Sequence, residues 1–367
     1  MSSAHTGPNS GSPVLRRALD DVPSYRAGAA PPPPPEGLTA YKIASNENPY
    51  PPLPGVLAAI ADAAAGINRY PDFASSHLLT LLAEHTAAPV EQIALGTGSV
   101  ALLQHAMQIT CDDGDEVVYA WRSFEAYPIL TRITGAVPVE VPLTSDHRHD
   151  IDAMLAALTD RTRVLILCSP NNPTGTALTT QDVVRVLTAV PDRVLVVLDE
   201  AYCEFVDRQH ALDAAALLAA HPNLVVLRTF SKAYGLAGVR LGYALGSERV
   251  ADALRAVATP FGISSLAQAA GMAVLAPAAR ADLERRVLHL VGERERVVTR
   301  LGGAAASDPQ GNFVWLPLGD ASTGFAALCA AQGLSVRAFP GEGVRATIAE
   351  SAANDRLIAL ANGFVTR

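Results

Sequence analysis

From about residue 90 the chain repeats one alternation, and it restricts the fold more than any other feature. Short, nearly continuous apolar runs (EQIAL, DEVVYA, AVPVEV, TRVLILC, RVLVVLDE, NLVVLRTF, VRLGYAL) are separated by stretches such as VALLQHAMQI and TTQDVVRVLTAV, whose apolar residues recur at helical spacing. Val/Leu-rich runs of about four to eight residues, apolar on successive positions, suit strands buried on both faces. Strands alternating with helices imply an α/β fold with a mainly parallel sheet. From about residue 263 the pattern changes to a long charged helix through ERRVLHLVGERERVVTRL, then NFVWLPL, a helix around FAALCAAQ, LSVRAF, RATIAE and a last helix in DRLIALANGFV. A chain of 367 residues holds about two domains at roughly 150 residues each. The expected division is an N-terminal arm over 1–40, a large domain over 41–262, and a small α+β domain over 263–367 that the arm joins. The arm carries five consecutive prolines, Pro31 to Pro35, which favour a stiff extended path; its first dozen residues are expected to be disordered and the rest to cross the surface.

Composition bounds the function. The formal net charge is −8, which argues against a nucleic-acid scaffold, where a basic patch or stripe is needed. No apolar run reaches the roughly 18 residues of a membrane span. The N-terminus lacks the charged-then-apolar layout of a secretory signal, so a cytoplasmic location is expected. The four cysteines (Cys111, Cys168, Cys203, Cys329) form no CxxC pair or zinc-type spacing and read as buried thiols.

Four motifs carry chemistry. In Arg228-Thr-Phe-Ser-Lys232-Ala-Tyr-Gly-Leu-Ala-Gly-Val-Arg240 a lysine follows the end of an apolar strand. Its amine can act as a nucleophile toward a carbonyl when burial or nearby cations lower its pKa, and Arg240 supplies such a charge and a fork for phosphate oxygens. Asp199-Glu-Ala-Tyr202 puts a carboxylate at the end of a buried strand, where α/β sheets place their ligands; the same aspartate could merely cap the next helix. Ser169-Pro-Asn-Asn172-Pro-Thr-Gly175 is dense in turn formers and could be a bare loop. Gly96-Thr-Gly98-Ser99 opens a helix whose first N–H groups suit an anion. In WRSFEAYPI, Phe124 or Tyr127 could stack on a planar cofactor, though core packing is the usual fate of such rings.

Taken in order, SPNNPTG, DEAY and TFSKAYGLAGVRLGY resemble the fold-type I pyridoxal-phosphate aminotransferases. SNENPY (45–50), RYPD (69–72) and VRAFPGEGVRATI (336–348) narrow the resemblance to the histidinol-phosphate and aromatic aminotransferase group, over about nine-tenths of the chain. The resemblance implies a large domain built on a mainly parallel seven-stranded sheet, pyridoxal 5′-phosphate as cofactor, amino-acid and 2-oxo-acid substrates, and a homodimer with shared sites. It implies that Lys232 holds the cofactor as a Schiff base and shuttles protons, that Asp199 pairs with the pyridine nitrogen, and that Tyr202 and Asn172 hold the phenolic oxygen. Phe124 would stack on the ring. Gly98, Ser99, Val100, Thr229, Ser231 and Arg240 would surround the phosphate, with Tyr70 reaching the neighbouring subunit's phosphate. Arg345 would clamp the substrate α-carboxylate beside Asn46, and Arg337 and Tyr25 would face the substrate side chain.

Histidinol-phosphate enzymes often read Tyr-x-Pro-Gly-Lys near the start and carry tyrosine at the stacking position; here the strings are Tyr25-Arg-Ala-Gly and Phe124. WRSFEAYPI resembles the aromatic branch, so phenylalanine and tyrosine are the expected donors, with 2-oxoglutarate an expected acceptor. Histidinol phosphate is the alternative, because Arg337 suits a phosphate or another anion. A decarboxylase of a phosphorylated amino acid is a third reading, and a cofactor-sensing regulator a fourth that no appended basic helix pair supports. Among the remaining features, His147 and His149 read as a solvated loop rather than a metal site, the ERER run at 293–296 as a solvated helix face, and Trp315 as packing.

Overall fold

A computed structural model describes residues 13–25, 28, 30–31, 33–306 and 308–365; residues 1–12, expected to be disordered, lie outside the described set. β1 (Tyr41–Lys42) leads out of the arm. The large sheet is formed by β2 (Ile93–Gly96), β3 (Glu116–Trp121), β4 (Val137–Pro142), β5 (Thr162–Cys168), β6 (Leu195–Asp199), β7 (Leu224–Thr229) and β8 (Gly242–Gly246). The C-terminal part adds β9 (Phe313–Leu316), β10 (Leu334–Ser335), β11 (Arg337–Phe339) and β12 (Gly343–Thr347).

The seven strands run in the order β2-β8-β7-β6-β5-β3-β4. β4, β3, β5, β6 and β7 are mutually parallel, and β8 alone is reversed between β7 and β2. The mainly parallel sheet expected from the continuous apolar runs is therefore present. Burial on both faces is the physical cause: Val118, Leu165, Val196 and Val226 point into one apolar layer, while Val117, Val164, Val197 and Val225 point into the other. Each strand must present apolar groups at successive positions.

This topology sets the site. Six strands end at the same edge, so the segments following β2, β3, β5, β6 and β7 converge there. Order also reverses beside β3, since β5 lies on one side and β4 on the other, and open α/β sheets bind ligands at the carboxyl edge near such points. The helices Ser99–Gln108 and Ala126–Thr134 follow β2 and β3 directly.

The C-terminal strands make a separate three-stranded sheet, β11-β12-β9, all antiparallel, packed with the helices Pro277–Leu301, Ser322–Ala331 and Ser351–Val365. The helix Ser265–Leu275 packs on Val56–Ala64 and Ser76–Thr86. β1 pairs in parallel with β10, tying the end of the arm to the C-terminal part. The arm crosses the surface: Arg16 Nη1 donates to the Ile133 carbonyl at 3.0 Å.

Several sequence expectations need correction. His149 is buried rather than solvated, with Nε2 3.4 Å from Asn171 Oδ1, and burial lowers its pKa to about 4. The loop folds back over β5, so its polarity does not mean exposure. In the ERER run, Arg294 is buried and donates to the carbonyls of Phe205 and Gly311, both at 3.0 Å; its planar fork satisfies two otherwise buried acceptors. Cys168 and Cys329 are buried, but Cys111 and Cys203 are only partly so; all four are free. Trp315 is in packing, edge-on to Phe339 at 5.5 Å. Among the described residues no helix is long and apolar enough to cross a membrane.

Candidate active site

At the carboxyl edge of the large sheet lies a cavity of about 240 Å³, lined by Ser99, Val100, Phe124, Asn172, Asp199, Tyr202, Thr229, Ser231, Lys232 and Arg240 from one side, and by Tyr25, Arg337 and Arg345 from the arm and the small sheet. Residues up to 320 positions apart in sequence thus meet in one concavity.

Lys232 follows β7 through a tight turn in which the Ser231 N–H donates to Thr229 Oγ1 at 3.1 Å. Asn48 anchors that turn from outside, donating to the carbonyls of Lys232 and Ala233 at 3.3 and 2.8 Å. Lys232 Nζ donates to the carbonyls of Ser45 and Asn46, each at 3.3 Å. Burial, then the nearby Arg345 and Arg240 charges, lower its pKa to about 7, against the opposing pull of Glu47 and Asp199. At neutral pH a large fraction of this amine is therefore uncharged and nucleophilic.

Asp199 ends β6. Its Oδ2 accepts the Tyr127 hydroxyl at 2.7 Å, whereas Oδ1 is buried without a hydrogen-bond partner. Burial raises the Asp199 pKa, against the Tyr127 hydroxyl, which lowers it. An unpartnered buried acceptor is costly, and a ring N–H at that position would satisfy it. Tyr127 was the residue misjudged in sequence. It is fully buried, edge-on to Phe124 at 5.6 Å, and serves Asp199 rather than a ligand face. Its place one helical turn after Phe124 was the only available signal.

Across the cavity, Tyr202 Oη accepts from Asn46 Nδ2 at 3.0 Å. Asn46 has φ 52° and is locked by Thr347, whose Oγ1 accepts from the Asn46 N–H at 2.9 Å and donates to its Oδ1 at 3.0 Å. Burial pushes the Tyr202 phenol up, so it remains a proton-bearing donor at neutral pH. Thr347, like Asn48, was not singled out in sequence.

At the other end, Gly98 has φ +89°, and a Cβ there would lie 2.5 Å from Arg240 Nη2. Glycine is thus required twice, for its backbone angle and for the arginine's close approach. Arg240 Nη1 donates to Ser231 Oγ at 3.3 Å. The N-terminus of the ten-residue helix Ser99–Gln108, the Ser99, Thr229 and Ser231 hydroxyls and Arg240 together form a cradle for a dianion.

Arg345 on β12 is buried; Nη1 donates to Asn172 Oδ1 and Nη2 to the Ala44 carbonyl at 2.6 Å, while Nε is buried and unpartnered. Its β11 neighbour across the ladder is Arg337, whose Nη2 contacts both oxygens of Glu125 at 2.8 and 2.7 Å. Tyr25 lines the mouth and is 57% exposed. Tyr70 is not brought to this cavity. It is 80% exposed and stacks on Phe261 with ring centroids 4.6 Å apart.

An anion cradle, a lysine of lowered pKa, an orphaned carboxylate oxygen and a buried arginine in one cavity fit pyridoxal phosphate at its phosphate, aldehyde and ring-nitrogen ends, with a place for a substrate carboxylate. The comparisons agree. A sequence model of the family described as aminotransferase class I and II matches residues 40–359. The chain is 51% identical to an aromatic amino acid aminotransferase of Streptomyces avermitilis over 96% of its own length and 98% of the relative's. It is 50% identical to the enzyme of that name from Rhodococcus jostii, over 97% of each. Among solved structures, a histidinol-phosphate aminotransferase from Sinorhizobium meliloti in complex with pyridoxal-5′-phosphate superposes with a TM-score of 0.84 at 29% identity, over 97% of this chain and 99% of that one.

Proposed function

The chain belongs to the class I and II aminotransferases, and from that premise we propose that it is a pyridoxal-phosphate enzyme moving the amino group of phenylalanine or tyrosine to a 2-oxo acid such as 2-oxoglutarate. The observation that carries the cofactor assignment is the orphaned Asp199 Oδ1 in the same cavity as Lys232 and the Gly98–Ser99–Arg240 cradle. The aromatic preference rests on the relatives of about half identity that bear that name.

When bound, the cofactor supplies an electrophilic carbonyl carbon and a ring that takes up the electron pair left at the substrate Cα. Lys232 Nζ binds that carbonyl covalently in the resting enzyme, yields its place to the incoming amine, then takes the proton from Cα and delivers it one atom away. Asp199 Oδ1 keeps the ring nitrogen protonated, and Tyr127 holds the carboxylate in place for that. Tyr202 and Asn172 donate to the phenolic oxygen, and Phe124 stacks on the ring. Ser99, Thr229, Ser231, Arg240 and the N–H groups near Gly98 and Val100 hold the phosphate. Arg345 grips the α-carboxylate beside Asn46, which turns the Cα–H bond, rather than the Cα–carboxylate bond, toward the Lys232 amine. This favours transamination over decarboxylation. Two half-reactions on one lysine predict ping-pong kinetics. The site is read as belonging to a homodimer in which Tyr70 serves the partner's phosphate, a role suited to its exposed position.

The test is a donor screen on cofactor-loaded protein with 2-oxoglutarate, following glutamate formed from phenylalanine, tyrosine or histidinol phosphate. Preference for the aromatic acids is expected; preference for histidinol phosphate would replace this reading with the alternative one. Lys232→Ala must abolish both turnover and the visible absorbance of the bound cofactor.

A further inference from the structure

We propose that Glu125 is a specificity-determining residue: it occupies Arg337 as an internal carboxylate, so that a substrate with an anionic side chain must displace it while an aromatic one need not. The inference rests on the transaminase reading above and deepens it at the side-chain end of the pocket.

The argument starts from the small sheet. Arg337 and Arg345 are directly opposed in the antiparallel β11–β12 pair, so their side chains leave the same face about 5 Å apart at Cβ. Two cations so placed repel, and each lowers the other's hold on its proton; Arg337 acts on Arg345 in this way, and Glu125 acts oppositely. Glu125 meets Arg337 at 2.7 and 2.8 Å, with only 14% and 29% of the two side chains exposed. Both residues line the cavity, as do Arg345 and Tyr25. The arrangement gives the two arginines different fates. Arg345 is held by neutral oxygens, Asn172 Oδ1 and the Ala44 carbonyl, and keeps its full charge for the α-carboxylate. Arg337 is already neutralised by a carboxylate.

The placement of Glu125 is not incidental to the fold. It immediately follows Phe124 at the start of the helix Ala126–Thr134, so the stacking ring and the neutralising carboxylate are delivered by one turn. A second bridge of the same kind, Arg122 to Glu342, spans the same two segments, and holds the 121–125 loop against the β11–β12 turn. Glu125 therefore has little freedom to leave. A phosphate or second carboxylate approaching Arg337 meets a fixed negative charge, and like-charge juxtaposition in a partly dry site is penalised by several kcal/mol. A phenyl or phenol side chain meets a neutral pair and the stems of the side chains around it.

The experiment measures the first half-reaction alone, mixing cofactor-loaded enzyme with phenylalanine or with histidinol phosphate and following the cofactor absorbance, so that no acceptor intrudes. For Glu125→Gln the ratio of kcat/KM for histidinol phosphate to that for phenylalanine should rise at least about tenfold, the rise lying in KM. Glu125→Asp should retain the wild-type ratio more nearly, and adding Arg337→Gln to Glu125→Gln should abolish the gain, because the gain acts through Arg337. An unchanged ratio, or equal losses for both donors in Glu125→Gln, overturns the proposal and leaves the pair a structural bridge. Should Glu125→Gln not fold, the same comparison on Glu125→Asp decides, a ratio between the wild-type value and unity being expected. Wild-type enzyme favouring histidinol phosphate would instead sink the aromatic reading itself, a result separable from these.

Discussion

Lys232 shows how far one residue's chemistry depends on neighbours distant in sequence. Alone, a serine–lysine pair after a strand says little; in the folded chain Arg345 and Arg240 stand near enough, with burial, to bring the amine to about 7. The sign follows directly. Below that value the amine is protonated and cannot attack a carbonyl, and above it the amine is free. Capture of pyridoxal phosphate by cofactor-free protein, read by stopped-flow absorbance, should accelerate about tenfold per pH unit up to about pH 7 and then level off. A rate that kept climbing to pH 10 would mean an unperturbed lysine. Asp199, Asn172 and Arg240 were legible from their motifs. Tyr127, Asn48 and Thr347 were not, because each acts by touching another site residue and carries no spacing signal of its own.

At the scale of elements, the cradle depends on how closely β8 passes the turn after β2. A Cβ on Gly242 would lie 2.6 Å from the Ser99 nitrogen, 2.8 Å from the Gly98 carbonyl carbon and 2.9 Å from the Arg228 carbonyl oxygen. All three are backbone atoms and none can swing aside. Gly242→Ala should therefore push the helix Ser99–Gln108 away from β7, costing roughly 1–3 kcal/mol of stability and a larger share of cofactor affinity than of thermal stability. Fluorescence titration with pyridoxal phosphate beside a melting curve measures both; unchanged affinity would show that the cradle tolerates the shift. The strands themselves were readable because both their faces are buried. The ERER face and the His147–His149 loop were misread because local polarity does not reveal that Arg294 and His149 find buried partners on other elements.

For the whole molecule, the open question is the second subunit. Tyr70, Phe73 and Phe261 are all exposed yet packed on one another, Phe73 edge-on to Phe261 at 5.2 Å. Such a cluster of aromatic rings marks a surface suited to burial against a partner. Sedimentation should give twice the chain mass, and Phe261→Asp should shift the protein toward monomer and weaken cofactor retention together. A wild-type monomer with full activity would remove Tyr70 from the site.

What the sequence determined by itself was the class of sheet and the identity of the chemistry. Continuous apolar runs can only be strands covered on both sides, and the cofactor motifs sit in the turns that end them. What only the tertiary structure decided was which charges remain available. Arg337 and Arg345 look alike in VRAFPGEGVRATI, and either could hold an anion. Antiparallel pairing places them side by side, and a turn more than two hundred residues earlier brings Glu125 to one of them and neutral oxygens to the other. Charge compensation depends on distance in space, which no local spacing encodes.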